Sequence, residues 1–330
     1  MKKVTTLSML ALLVAVSTAQ AAPLVPAHIP ADAKWVIHVD FEQMRASDLA
    51  EACMAEMKKH DRYDEKIKSI TEKLGMNPME DLLGVTAFDT KYGTRKGVVL
   101  IHCNKLNRKK LHAMFEKKHP DAKSSKYGDW TLNTWTAKSR HGSHEITGTF
   151  VNDNTIAISG DADKLKMALD VISGKAKSAS PDSDLLTGIG KKAIMVARAI
   201  DVTPEYMKKT RCPVLRNASD VTVVWRERKG QLVGQYAFVT KDEDTAKSFK
   251  AVVEGLKGMA TLKLGRSEAA MKLVDGLKAK AKGKELNVSY KAASSDIIAM
   301  AKKMKDMKKK WRGHRHHHHK RDHDTKKEEI

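Results

Sequence analysis

The chain has 330 residues, 41% hydrophobic and 31% charged, with 61 lysines and arginines against 40 aspartates and glutamates, a formal net charge of +21. That balance fits a folded chain with a sizeable core and excludes both a disordered polymer and a bundle of membrane helices. The basic residues are 47 lysines and 14 arginines spread through every segment. This argues against a site that reads nucleic acid or phosphate through arginine forks, and for loose attraction to polyanions.

The chain opens MKKVTTLSMLALLVAVSTAQAAPLVP. Lys2 and Lys3 precede an apolar run from Val4 to Val16, and Ala19-Gln20-Ala21 has the small-x-small pattern of a cleavage site, so residues 1–21 read as a signal peptide. The run falls short of the ~18 apolar residues that mark a spanning helix. No cysteine follows the cleavage point, and no later segment is long and apolar enough to span a membrane. The expectation is an exported protein, periplasmic or extracellular, that begins at Ala22 with a charge of +19 (59 basic minus 40 acidic residues).

"AKWVIHVDFEQM" predicts a strand in which Trp35, Ile37 and Val39 alternate with Val36, His38 and Asp40. Helices follow over 47–60 and 64–74, stopped by Gly75 and Pro78. The stripe Leu49, Cys53, Met57 has helical spacing and places Cys53 in a core. "LGVTAFDT" and "GVVLIHC" are strand-like. Asn107 can cap a helix that buries Leu111, Met114 and Phe115. "DWTLNTWTA" and "HEITGTFV" read as a hairpin, and "NTIAIS" as a further strand. Trp130 and Trp135, five apart, point to opposite faces of theirs. Asp161 starts a helix that buries Leu165, Leu169 and Ile172, and Gly174 stands where helices end in a left-handed residue.

Residues 173–184, rich in Ser, Lys and Pro, read as a linker, after which the order of elements recurs. "KAIMVARAID" answers the first strand, and a long hairpin turning at Lys229-Gly230 answers the middle pair. Asp242 caps a helix that buries Ala246, Phe249, Val253 and Leu256. A closing strand and a helix over 295–310, burying Ile297, Ile298, Ala301 and Met304, complete the second set. Strand pairs joined by short turns with helices laid after them predict an α+β fold. It comprises two similar domains of mainly antiparallel sheet with helices packed on one face, over residues 22–174 and 191–310. A linker at 175–190 joins them, and a disordered basic tail, 311–330, follows.

"IPADAKWVIHVDFEQMRASDL", "LGVTAFD", "KGVVLIHCNKLNRKKL" and "ALDVISG" resemble segments of an uncharacterised family of exported bacterial proteins that open with a Pro-Ala-Asp-Ala-Lys-Trp-Val strand. The resemblance covers much of residues 29–174 and fades toward the C-terminus. It implies an exported domain and carries no catalytic residue.

Signatures of reactivity are absent: no GxSxG, HExxH, GxGxxG or GxxxxGK[ST] occurs. His38 and Asp40, two apart on a strand, share a face and can ligate one metal or act as base and orienter, with His102 from another strand as a third group. The competing reading is that Asp40 caps the segment after the strand and His38 bonds locally. Of three cysteines, Cys103 and Cys212 are the candidates for a disulfide; no CxxC spacing occurs. Methionine pairs such as Met54–Met57 and Met304–Met307 read as flexible core filling.

"GHRHHHHKRDHD" places His314, His316, His317, His318, His319 and His323 within ten positions. Neutral imidazoles on a flexible run can gather around zinc, nickel or copper, weakly, because Arg312, Arg315, Lys320 and Arg321 repel the cation and the rings protonate below about pH 6. The leading expectation is a non-catalytic exported protein that binds or scaffolds in the cell envelope. It is held to anionic surfaces or polymers by its lysines and tail, and requires no cofactor. Metal handling by the tail, and an enzyme built on His38, Asp40 and His102, are the alternatives.

Overall fold

A computed structural model describes residues 24–93, 96–139, 142–190, 192–203, 205, 213–265 and 267–305. The proposed signal peptide, Cys212 and the histidine-rich tail lie outside these residues. The protein is α+β, and its twelve strands form one sheet in the order β11-β12-β10-β9-β8-β1-β2-β3-β7-β6-β5-β4, antiparallel throughout.

The first half supplies β1 (Trp35–Asp40), β2 (Leu82–Asp89), β3 (Val98–Cys103), β4 (Lys123–Tyr127), β5 (Trp130–Ser139), β6 (Gly142–Phe150) and β7 (Thr155–Ser159). Helices α1 (Phe41–Arg45), α2 (Asp48–Lys58), α3 (Tyr63–Leu74) and α4 (Pro78–Asp81) lie between β1 and β2. Helix α5 (Arg108–Lys118) follows β3, and α6 (Ala162–Ile172) follows β7. The second half supplies β8 (Met195–Ala199), α7 (Pro213–Arg216), β9 (Ala218–Arg228), β10 (Gln231–Thr240), α8 (Glu243–Leu264), α9 (Glu268–Asp275), β11 (Leu277–Lys282) and β12 (Glu285–Ala293). A last helix, α10, occupies 294–305.

Local chemistry explains where these elements start and stop. Side-chain oxygens of Asp40, Ser47, Asn107, Asp161 and Asp242 accept hydrogen bonds from first-turn N–H groups of α1, α2, α5, α6 and α8, satisfying donors that a helix start leaves orphaned. Lys229 (φ 50) and Gly230 (φ 68) make the two-residue turn between β9 and β10, whose positive dihedrals match the twist of a hairpin.

The strand order β1-β2-β3-β7-β6 in one half matches β8-β9-β10-β12-β11 in the other, and the hairpin β4–β5 extends the first set. The two sets meet where β1 pairs with β8, from Trp35↔Ala199 to Val39↔Met195. The sheet therefore runs unbroken through both halves, and residues 175–190 are no exposed tether. Ala31 and Ala179 exchange backbone hydrogen bonds with Lys177 and Ile29. Ala179, Leu185 and Leu186 join the main core with Ile29, Val36, Phe88, Leu100 and the α6 residues Leu165 and Leu169. Lys164 of α6 reaches Asp89 at the end of β2 at 2.5 and 2.7 Å, a pair whose side chains are 15% and 1% exposed.

This main core fills one face of the first half. On the opposite face α3 and α5 pack over Ile101, Phe150 and Ile156. Several helical residues expected inside are exposed: Cys53, Met57, Met114, Leu256, Ala301 and Met304. Their helices are covered along a narrower stripe than the apolar spacing predicts. Helix α2 is pinned by polar contacts at its ends, where Asp48 and Leu49 N–H groups bond the Glu227 carboxylate and Glu56 meets Lys305. Strands β4 and β11, which apolar patterning does not announce, are the two edges of the sheet.

Candidate functional site: a buried histidine cluster and an open basic face

The register of the sheet brings the three singled-out residues to one face. Asp40, Gly84, His102 and Thr155 stand in one cross-strand row, and His38 and Thr86 pair in the next. With strands spaced ~4.8 Å apart, Asp40 and His102 sit roughly 10 Å from each other across the glycine. His28, from the short 3-10 turn Pro26–His28, stacks against His102 with ring centroids 6.0 Å apart and planes 22° apart. Periodicity carries no signal for His28, because its place is set by how the N-terminal segment crosses the sheet.

Each buried ring is tied to a threonine. His38 Nδ1 is 2.9 Å from Thr86 Oγ1, and His102 Nδ1 is 3.2 Å from Thr155 Oγ1. Burial, then the charges that His28 and His38 would carry, lowers the His102 pKa to about 4, and burial lowers that of His28. His28 and His102 are therefore neutral at pH 7. Asp40 accepts from the Gln43 N–H at 2.9 Å and caps α1, while burial raises its pKa against that bond. Its own N–H bonds Ile194 O at 2.9 Å, so the strand end belongs to the junction of the halves.

His38 and Asp40 line a cavity of about 150 Å³ roofed by Pro181, Leu186 and Ile189; His102 does not line it. Pockets that hold small molecules run from about 300 Å³ upward. Among the described residues no three His, Cys, Asp or Glu side chains are placed to hold one metal ion. Cys103 is a free, buried thiol whose pKa is pushed up to about 11 by burial and the Asp81 carboxylate. The structure thus gathers His38, Asp40 and His102 onto one face of the sheet, with His28 Nδ1 beside them buried without a hydrogen-bond partner among the described residues.

The second half presents the same face of the sheet differently. Strand β11 alternates Leu277, Ala279 and Ala281, half-buried, with Lys278, Lys280 and Lys282, exposed. A row of side chains then crosses the sheet from Lys280 through Asn287, Ala237 and Thr222 to Arg198. Arg226, Arg228 and Lys291 lie on this face too, with Asp220 and Glu285 as its acidic members. Arg198 donates to Thr222 Oγ1 at 2.8 Å and Arg226 to Gln235 Oε1 at 2.7 Å, yet the Nε–H of each is buried without an acceptor among the described residues. Burial and the neighbouring Arg228 charge lower the Arg226 pKa, a sign of like charges held together.

No family model matches the sequence and no curated protein matches it. Among solved structures, crystal form III of TP0453 aligns over 86% of this chain and 98% of its own, with a TM-score of 0.43 and 8% identity. Crystal form I of TP0453 aligns over 86% and 99%, with a TM-score of 0.42 and 7% identity. At this level of likeness we carry no property over to this chain. Among the described residues no helix is long and apolar enough to cross a membrane.

Proposed function

We propose that this is a non-catalytic protein of the cell envelope that binds anionic surfaces or polymers through the basic sheet face of its second half, with the tail at 311–330 adding charge. The observation that carries the reading is the set of cations on that face, Lys278, Lys280 and Lys282 on the edge strand with Lys291, Arg228, Arg226 and Arg198 further in. It runs inward from the edge lysines to Arg198 and Arg226, whose guanidinium groups keep buried N–H donors unspent. Lysines on an edge strand also discourage unwanted pairing with other chains. Edge protection, however, needs no arginines three and four strands inside the sheet. Lysine-rich attraction of this kind is long-ranged, tolerant of partner structure and screened by salt.

The test is co-sedimentation of the protein, cleaved after Ala21, with phosphatidylglycerol-containing vesicles and with neutral vesicles, at low and high salt. Retention is expected only on the anionic vesicles and only at low salt. Replacing Lys278, Lys280 and Lys282 together by Gln should lower retention several-fold, and deleting 311–330 should lower it further. Equal retention by wild type and the triple variant would remove the sheet face from the reading.

A further inference from the structure

Helix α5 stands off the sheet over a groove whose walls are almost all carbon. A cavity of about 240 Å³ lies between Leu111, Met114 and Phe115 above and Trp135, Ile156 and Ile158 below. Gly148 forms part of its floor because a β-carbon there would meet the Trp135 ring at 3.2 Å. The ring lies 5.1 Å from Phe115 in an edge-on arrangement. Met114, 38% exposed, is an unbranched, adaptable side chain at the wall of an apolar cavity.

A second cavity of about 610 Å³ adjoins the first, and the two share His112, Asn133, Thr149 and Phe150 as walls. Its lining is mixed, with Arg108, Lys109 and His112 on α5 facing Asp129 and Thr131 on the strand side beside the apolar Trp130, Phe150 and Val151. Arg108 pairs with Asp153 at 3.1 Å and lies over the Phe150 ring at 5.1 Å, and Glu116 sits 3.3 Å from His112. Among the described residues Lys109 is in no ion pair. Helix α5 as a whole carries Arg108, Lys109, Lys110, Lys117 and Lys118 against Glu116 alone, with no acidic residue in its first turn. The groove also has a way onward. From Ile158 the row Val99, Ala87, Ile37 continues across the same sheet face, and Ile37 there is 42% exposed.

We infer that the groove under α5 is a binding site for an amphiphile with a single apolar chain and an anionic head. The chain lies on Trp135 and Ile158, and the head sits in the basin beside Lys109. An apolar slot and a mixed basin with common walls, where Lys109 offers an ammonium that is in no ion pair among the described residues, fit a ligand that has both characters in sequence. Together they reach the size of small-molecule sites, about 300–1,000 Å³. This site lies on the opposite face of the sheet from the basic surface of the second half, and its occupancy does not depend on attachment to a surface.

Calorimetry below the micellar range, with laurate, lauroyl-lysophosphatidylglycerol and dodecyltrimethylammonium as probes, tests the inference. Saturable binding of either anionic probe, with the cationic probe several-fold weaker, is expected; which anion binds tells a free carboxylate from a lipid headgroup. Met114→Glu, at an exposed helix position, should weaken binding by about tenfold or more through a charge set against the apolar slot. Met114→Leu should retain it, and Lys109→Glu should weaken it several-fold. Absence of saturable binding by both anions, equal binding of the cation, or unchanged affinity in a folded Met114→Glu protein would each overturn the site.

Discussion

The two halves of the sheet have the same strand order, and they treat the same face in different ways. In the first half that face is closed by the Pro26–His28 turn, by α6 and by residues 175–190, so Val36, Phe88, Leu100 and Ala157 are fully buried and histidines are buried among them. In the second half no such cover exists over β10 to β12 among the described residues, although Val224 of β9 is still buried with Ala193 and Val196 beside Ile189, and the positions on the open strands include lysine, asparagine and glutamine. One topology therefore supports a sealed interior and a water-facing cationic surface. The difference lies in which segments return over the strands, and the side chains of each half agree with the cover they receive. Surface attachment is what we propose for the half that lacks the cover, and pH-sensitive stability is expected of the half that has it.

The largest effect should come from unseating the cover. Lys164→Met removes the ammonium from the buried Asp89 carboxylate, leaving it the Lys91 N–H, and should cost about 3–5 kcal/mol in urea unfolding. A loss under about 1 kcal/mol would mean that α6 is held by its apolar face alone. Next is acid. The neutral form of His102 is favoured in the fold, with a pKa of about 4 against an ordinary 6.5. Stability should then be fully present above pH 6.5 and fall as pH drops toward 4, by as much as about 3 kcal/mol from this group. His102→Asn should flatten that window, and a wild-type profile flat from pH 7 to 4.5 would contradict the burial of the cluster.

A smaller effect tests what the halves share. On the face opposite the sealed one, each half sets a tryptophan ring against a strand glycine. β-carbons at Gly148 and Gly234 would meet Trp135 and Trp225 at 3.2 Å. Alanine at either position should cost about 1–3 kcal/mol by overpacking, read in thermal melts; a loss under about 0.5 kcal/mol would mean that the ring yields without strain. The smallest effect belongs to the open face. The triple Gln variant at Lys278, Lys280 and Lys282 should change unfolding stability by no more than about 0.5 kcal/mol. A larger loss would make these lysines part of the fold rather than of a surface for partners.

Much of this fold was legible in the letters. Period-two alternation marked β1, β7 and the β9–β10 hairpin, and Ser47, Asn107, Asp161 and Asp242 marked helix starts, because caps and alternation are local in origin. Edge strand β4, "KSSKY", carried no such mark, and in β11, "LKAKAK", the alternation is of lysine with small residues, since an edge is populated by the polar residues that otherwise signal a loop. Cys53, Met114 and Leu256 were placed inside by helical spacing. Spacing tells which residues share a stripe, and only the neighbouring elements decide how much of the stripe is covered. The candidate site was legible in the pair His38 and Asp40, and His28 and the orphaned arginine donors were not, because they depend on which strands become neighbours.

Patterns a few residues long were enough to set the class of the molecule, its repeated order of strands and helices, and its excess of mobile positive charge. They could not settle that the repeats fuse through β1 and β8 into one sheet, or that residues 175–190 belong to the core. Nor could they settle that a histidine cluster is shut in while a lysine row is left in water; the tertiary structure decided these. Pairing and cover are contacts between segments far apart in the chain, and their free energy depends on surfaces that exist only once those segments have met.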